Sequence, residues 1–208
     1  MARNRGQRDG GAAGTDAAAT GAKAAGTGGK APGLNRWVLL AIVAVAGFGA
    51  DLATKLWALA NITQGALQPV WGDVLGWTLT FNKGALFGMN PANWIPGFPT
   101  RWFYVLFTVV MVPVLVYLYS RVDVVKGRLG LWGMALLVPG AAGNFVDRIL
   151  GRPGVVDFIR VDLGFPPFDP WPIFNLADAW ITIGIALVFL DMIRQDLAAR
   201  RARKAQAR

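Results

Sequence analysis

At 208 residues, 54% of them hydrophobic, with a mean hydropathy of +0.42, this chain is too apolar to be a soluble domain with a polar coat. Its 21 Lys and Arg outweigh 12 acids for a net charge of +9, but the cations gather in the two tails and one loop between apolar runs. That is a membrane-topology pattern; no nucleic-acid-binding motif accompanies it, and no nucleic-acid partner is expected.

Cys and His are absent, which removes thiol nucleophiles, His-based triads, disulfides and the common zinc sites. Glu is absent too, and the only serine is Ser120, placed in a basic loop. Any hydrolytic chemistry therefore falls to aspartates.

Residues 1–33 are rich in Gly, Ala and Thr, with no large apolar side chain after Met1. They cannot bury enough surface to offset chain entropy, so a disordered tail is predicted, without the apolar core of a secretory signal. The folded domain is placed at 34–195 and a basic tail at 196–208. Apolar stretches at about 37–60, 102–119, 129–150 and 174–193 each approach the ~20 residues that cross ~30 Å of hydrocarbon as a helix. Pro113 and Pro139-Gly140 would break soluble helices but are tolerated in a membrane bundle. Between the first two stretches, QPVWGDVLGWTLTF (68–81) alternates apolar and polar residues about Gly72-Asp73, predicting a hairpin. MNPANWIPGFPTR (89–101) is rich in Pro and Trp, as expected at headgroup level. The predicted fold class is an all-α membrane protein of four transmembrane helices, with a small extracytoplasmic β element between the first and second.

Six Lys and Arg lie in the chain up to Arg36, and six more from Arg194 onward; Arg121, Lys126 and Arg128 lie in the central loop. Positive-inside reasoning puts both termini and the 120–128 loop in the cytoplasm. Asp51, Asp147, Asp157 and Asp178 then converge on the opposite membrane face. Carboxylates near hydrocarbon are costly and mark functional sites by default. Two that meet can share a proton and act as general acid and base.

Each candidate has a plainer reading. Asp157, in VVDFI, is either half of such a pair or an interfacial acid neutralised by Arg152 or Arg160. Asn175 and Asp178 fit an N-cap and third helical position, a role compatible with orienting a reactive side chain. Asn144, Asp147 and Arg148 share a helical face, as a self-neutralising patch or as support for the acids. Asp51 and Lys55 form an i,i+4 pair that lowers the cost of two intramembrane charges. Asn82, just before Gly84, either holds a substrate backbone or is an ordinary turn residue.

Together, DLATK (51–55), FNKGALF (81–87), GNFVDR (143–148), GVVDFI (154–159) and FNLADAW (174–180) resemble the ordered motif set of signal peptidase II, the bacterial lipoprotein signal peptidase. The resemblance covers about 35–195. Leu52 stands where the family usually has Gln, Leu86 replaces a common Ala, and a Pro-rich insertion (165–172) separates the two motif aspartates. The resemblance implies an aspartic endopeptidase that cleaves diacylglyceryl-modified prolipoproteins before the lipidated cysteine and is blocked by globomycin. It implies Asp157 and Asp178 as the catalytic residues. Asn82, Asn144, Asp147, Arg148 and Asn175 would support site and substrate, with Asp51 and Lys55 more distant. No metal or other cofactor is expected. A multi-pass monomer of the bacterial inner (cytoplasmic) membrane is expected, with lipidated prolipoproteins and membrane lipids as partners. A proton-coupled carrier using the four aspartates as a relay is the competing reading. It requires polar positions through the membrane depth, whereas here they cluster at one face.

Overall fold

Inside hydrocarbon every backbone N–H and C=O must find a partner within its own segment, so long apolar runs fold as helices. A computed structural model of the chain describes residues 35–85, 89–123, 127–166 and 169–207. The 1–33 tail, Leu86 and Phe87 of the FNKGALF run, Lys126, and 167–168 of the Pro-rich insertion lie outside the described residues. The predicted apolar stretches form four helices: α1 (Arg36–Asn61), α2 (Thr100–Arg121), α3 (Arg128–Ile149) and α4 (Leu176–Gln206). All are long and apolar enough to cross a membrane. Asn35 caps α1 by accepting from the Trp37 amide.

The helices alternate in direction. Arg36 Nη1 at the start of α1 donates to the Ser120 carbonyl at the end of α2, 2.7 Å away. Ser120 thus belongs to the last turn of α2 rather than a loop, and its hydroxyl donates to the Tyr117 carbonyl. α2 packs against α3 and leaves Phe103, Leu106, Val110 and Leu118 exposed. A helix apolar on all sides, with its large side chains uncovered, faces lipid. α3 and α4 approach through glycines. A Cβ on Gly133 would come 2.6 Å from the Gly184 carbonyl oxygen, and one on Gly184 would come 2.7 Å from that of Gly133.

α4 continues past residue 195. It is 31 residues long, about 46 Å at 1.5 Å per residue, and so outruns the ~30 Å hydrocarbon layer. Its Ala-, Arg- and Lys-rich end favours helix, and an Asp196–Arg200 i,i+4 ion pair adds to it. The basic 196–208 segment is thus a continuation of the helix through Gln206. Asp191 is a buried acid that the sequence reading passed over. It accepts from Gln195 Nε2 at 2.6 Å and fits closely against Gly130 near the start of α3. It lies about 20 Å along α4 from Asp178.

The predicted hairpin is present as β1 (Gln68–Trp71) and β2 (Leu75–Asn82), turning at Gly72 with φ of 51°. A third strand, β3 (Val155–Val161), was not foreseen; it lies between α3 and α4 and pairs antiparallel with β2. Its VVDFI run is short and, apart from Asp157, apolar on both faces, so it shows no strand period in sequence. Ala58 and Ile62 of α1 form one buried cluster with Leu79, Val156 and Phe158. Trp57 meets Trp77 edge-on at 5.8 Å, and Trp77 meets Phe158 at 6.0 Å. This apolar joint fixes the sheet on the end of α1.

Candidate active site

β3 and the start of α4 meet through backbone hydrogen bonds, and this brings Asp157 and Asp178 to one place. Register sets Asp157 opposite Thr80 of β2. Just beyond it, the amides of Phe158 and Ile159 donate to the Phe174 carbonyl at 3.0 and 2.8 Å, and the Phe174 amide returns a bond to the Ile159 carbonyl. The next residue, Asn175, is the N-cap of α4. Its side chain accepts from the Asp178 amide at 3.0 Å while Asp178 Oδ2 accepts from the Asn175 amide, completing a capping box. The capping role read from the sequence is present, and it aims the Asp178 carboxylate back over the helix start.

Two asparagines join the carboxylates. Asn175 Nδ2 donates to Asp157 Oδ1 at 2.6 Å and also to Asn144 Oδ1 at 3.1 Å. Asn144 Nδ2 donates to Asp178 Oδ1 at 2.8 Å. Asp157 Oδ2 is buried and has no hydrogen-bond partner among the described residues. Burial, followed by the nearby Asp178 charge, pushes the Asp157 carboxyl up to about 8; the amides of Asn82 and Asn175 oppose that shift. The plainer reading of Asp157 fails, because neither arginine neutralises it. Arg152 pairs with Asp147 at 2.8 Å and Arg160 with Asp162.

The charges around this pair centre on Lys55, which is 1% exposed. Its Nζ lies 2.8 Å from Asp51 Oδ2, 2.9 Å from Asp147 Oδ2 and 3.2 Å from Asn144 Oδ1. Asp51 Oδ1 accepts from the Ala177 amide in the first turn of α4, and Asp147 Oδ2 from the Val156 amide of β3. A Cβ on Gly143 would overlap Asp51 Oδ2, so only glycine admits this carboxylate between α1 and α3. Asp51 and Lys55, expected as the more distant support, lie behind the asparagines: Lys55 is one hydrogen bond from Asn144, which holds Asp178. The Asp51–Lys55 i,i+4 pair itself is as expected.

Of the two readings of Asp147 and Arg148, the self-neutralising patch does not hold, because Asp147 pairs with Lys55 and Arg152. At adjacent positions the two side chains diverge. Asp147 turns into the helix interface, whereas Arg148 donates to its own-helix carbonyl of Asn144 and to the Gly84 carbonyl at 2.7 Å, with its guanidinium over the Tyr104 ring. Asn82, the last residue of β2, accepts from the Gly84 amide at 2.8 Å, the turn role considered for it. Pairing with Val155 also keeps it close to Asp157. The ammonium of Lys55 stands between Asp51 and Asp147, and among the described residues no group of three or more His, Cys, Asp or Glu could hold a metal ion.

The family model for signal peptidase (SPase) II matches residues 43–194, a span that contains both carboxylates and the residues that hold them. The chain belongs to the signal peptidase II family. The lipoprotein signal peptidase of Ectopseudomonas mendocina (strain ymp) is 36% identical over 174 residues, covering 80% of this chain and 92% of that protein. That of Rhodococcus jostii (strain RHA1) is 36% identical, over 76% of this chain and 74% of that one. The Latilactobacillus sakei protein of the same name is 31% identical, over 77% and 95%. A bacterial membrane enzyme solved by the in meso method at 2.3 Å superposes with a TM-score of 0.63 at 28% identity, covering 76% of this chain and 89% of that one. This chain is thus a multi-pass membrane peptidase of the signal peptidase II family. Within this family member, sequence reasoning missed Arg152 as the second partner of Asp147 and the Ala177 amide as a partner of Asp51. Backbone partners leave no mark in residue identity, but an arginine five residues after a buried acid was a visible signal.

Proposed function

We propose that this membrane peptidase removes signal peptides from diacylglyceryl-modified prolipoproteins by cleaving before the lipidated cysteine, with Asp157 and Asp178 as a proton-sharing catalytic pair. The observation that carries the assignment is a buried Asp157 carboxyl, raised to about 8, with one oxygen tied through Asn175 and Asn144 to Asp178 and the other, Oδ2, lacking a close hydrogen-bond partner among the described residues. In its protonated form Asp157 donates from Oδ2 to the scissile carbonyl oxygen. Ionised Asp178 takes a proton from a water molecule whose oxygen attacks the carbonyl carbon. As the C–N bond breaks, a proton held by the pair passes to the departing amine, and the pair returns to one shared proton. The two carboxyls titrate as a unit.

Asn144 and Asn175 orient the pair, Arg148 and Asn82 shape the chain that faces it, and the Asp51–Lys55–Asp147 cluster fixes the helices beneath. The Lys and Arg distribution supports a bacterial inner-membrane location with both termini cytoplasmic and the site facing outward. The test is incubation of purified protein with a lipidated prolipoprotein and, separately, its unlipidated form. Cleavage before cysteine in the lipidated form only is expected. Equal cleavage of both would contradict the substrate assignment.

A further inference from the structure

A cavity of about 350 Å³ opens at the end of β2, lined in part by Asn82 and Arg148 but by neither Asp157 nor Asp178. Three segments line it: Asn82 and Lys83 at the end of β2, 90–102 leading into α2, and 148–154 leading out of α3. Four of its lining side chains are cations, Lys83, Arg101, Arg148 and Arg152, and no acid is among its described lining residues. Only part of that charge is answered nearby. Arg152 is paired with Asp147 from outside the cavity and Arg148 lies within reach of the Asp178 and Asp157 charges, while Arg101 donates to the Ile149 carbonyl and lies over the Trp102 ring, neither of which carries a net charge. Arg101 Nε is buried without a hydrogen-bond partner among the described residues, and Lys83 is exposed.

The setting of the cavity narrows the ligand. It sits at the entry of α2, where Trp102 is 61% exposed and Phe103, Leu106 and Phe107 continue down the lipid-facing side of the helix. An occupant can therefore place an anion among the arginines and apolar chains along α2. The diacylglyceryl group of the peptidase substrate brings no charge to such a site. A phosphodiester brings one negative charge and several acceptor oxygens, which suit guanidinium donors. We propose that this cavity is a binding site for the headgroup phosphate of an anionic membrane phospholipid. Because Arg148 also holds the Gly84 carbonyl and Asn82 the Gly84 amide, an occupied site fixes the 82–85 segment beside Asp157.

The test uses the full chain in detergent, measured by native mass spectrometry with phosphatidylglycerol and phosphatidylcholine of identical acyl chains. Wild type should retain one phosphatidylglycerol in preference to phosphatidylcholine by roughly tenfold or more, the scale of a charge-assisted hydrogen bond. The Lys83→Gln/Arg101→Gln variant should lose that preference, and Lys83→Gln alone should reduce it if the double variant folds poorly. Neutralising Arg200, Arg201, Arg203 and Lys204 at the other end of α4 should leave the preference intact. Glycerol 3-phosphate, which carries the phosphate without acyl chains, should not displace the bound lipid at equal concentration. Equal retention of the two lipids, an unchanged preference in well-folded Lys83→Gln/Arg101→Gln, or displacement by glycerol 3-phosphate would each overturn the proposal.

Discussion

Replacing Lys55 by Met keeps most of the side-chain volume and removes the one ammonium that Asp51 and Asp147 share. Wild type balances two acids, Asp51 and Asp147, against Lys55 and Arg152. The variant leaves one net negative charge among groups that are at most 2% exposed, apart from Arg152. At 2.8 and 2.9 Å, each contact with Lys55 is worth about 6 kcal/mol in gross Coulomb attraction at an effective dielectric near 20. Most of that is offset by desolvation already incurred, and breaking a buried pair from one side typically costs about 3–5 kcal/mol. Against a total stability of order 5–15 kcal/mol, this is a large fraction. Unfolding followed by Trp fluorescence during SDS titration in mixed micelles reads the loss directly. Asp51→Asn/Lys55→Met restores charge balance, and its amide oxygen can still accept from Ala177. The double variant should therefore recover much of the stability while peptidase activity stays low, because Asn144 has lost its Lys55 donor. A cost below about 1 kcal/mol for Lys55→Met, or a double variant no more stable than the single, would refute the charge-balance reasoning.

The raised Asp157 carboxyl predicts two pH effects. Peptidase activity should fall as pH rises through about 8, where Asp157 loses its proton, an alkaline limb read from initial rates across a buffer series. The folded state also binds this proton more tightly than the unfolded chain. The stabilising contribution is therefore fully present below the unfolded value near 3.8 and lost as pH climbs through about 8. Asp157→Asn should remove that part of the pH dependence of unfolding; an unchanged profile would mean that another group is responsible. Asn175→Ala removes the donor to Asp157 Oδ1 and the cap of α4. A loss of about 1 kcal/mol in stability is expected, with turnover reduced roughly 100-fold by misplacement of the pair. Near-normal turnover in a folded Asn175→Ala protein would remove Asn175 from its bridging role.

Much of this arrangement was legible because membrane chemistry restricts what a residue can do. Aspartates persisting near apolar spans had to be neutralised or used, and Asp51–Lys55 and the Asn175–Asp178 cap followed from helical spacing alone. The hairpin was readable because it alternates about Gly72-Asp73. β3 was not, since buried strands lose the alternation that identifies them. Spacing also misled at Asp147 and Arg148. The i, i+3, i+4 pattern placed Asn144, Asp147 and Arg148 on one face but said nothing of which neighbours lay across it. Only tertiary structure shows Lys55 and Arg152 on one side and the Gly84 carbonyl on the other. Hydropathy likewise marks where a span leaves the lipid, not where a helix stops, so the continuation of α4 through Gln206 is visible only in the structure.

The central claim is that Asp157 and Asp178 carry out the cleavage and are not merely structural acids, and the most direct measurement compares Asp157→Asn and Asp178→Asn with wild type on a lipidated prolipoprotein. Each isosteric change keeps the shape and removes the shared proton. The account predicts no detectable cleavage by either variant, with both inserted and folded and Asp157→Asn at least as stable as wild type at neutral pH. Wild-type turnover by either folded variant would contradict it.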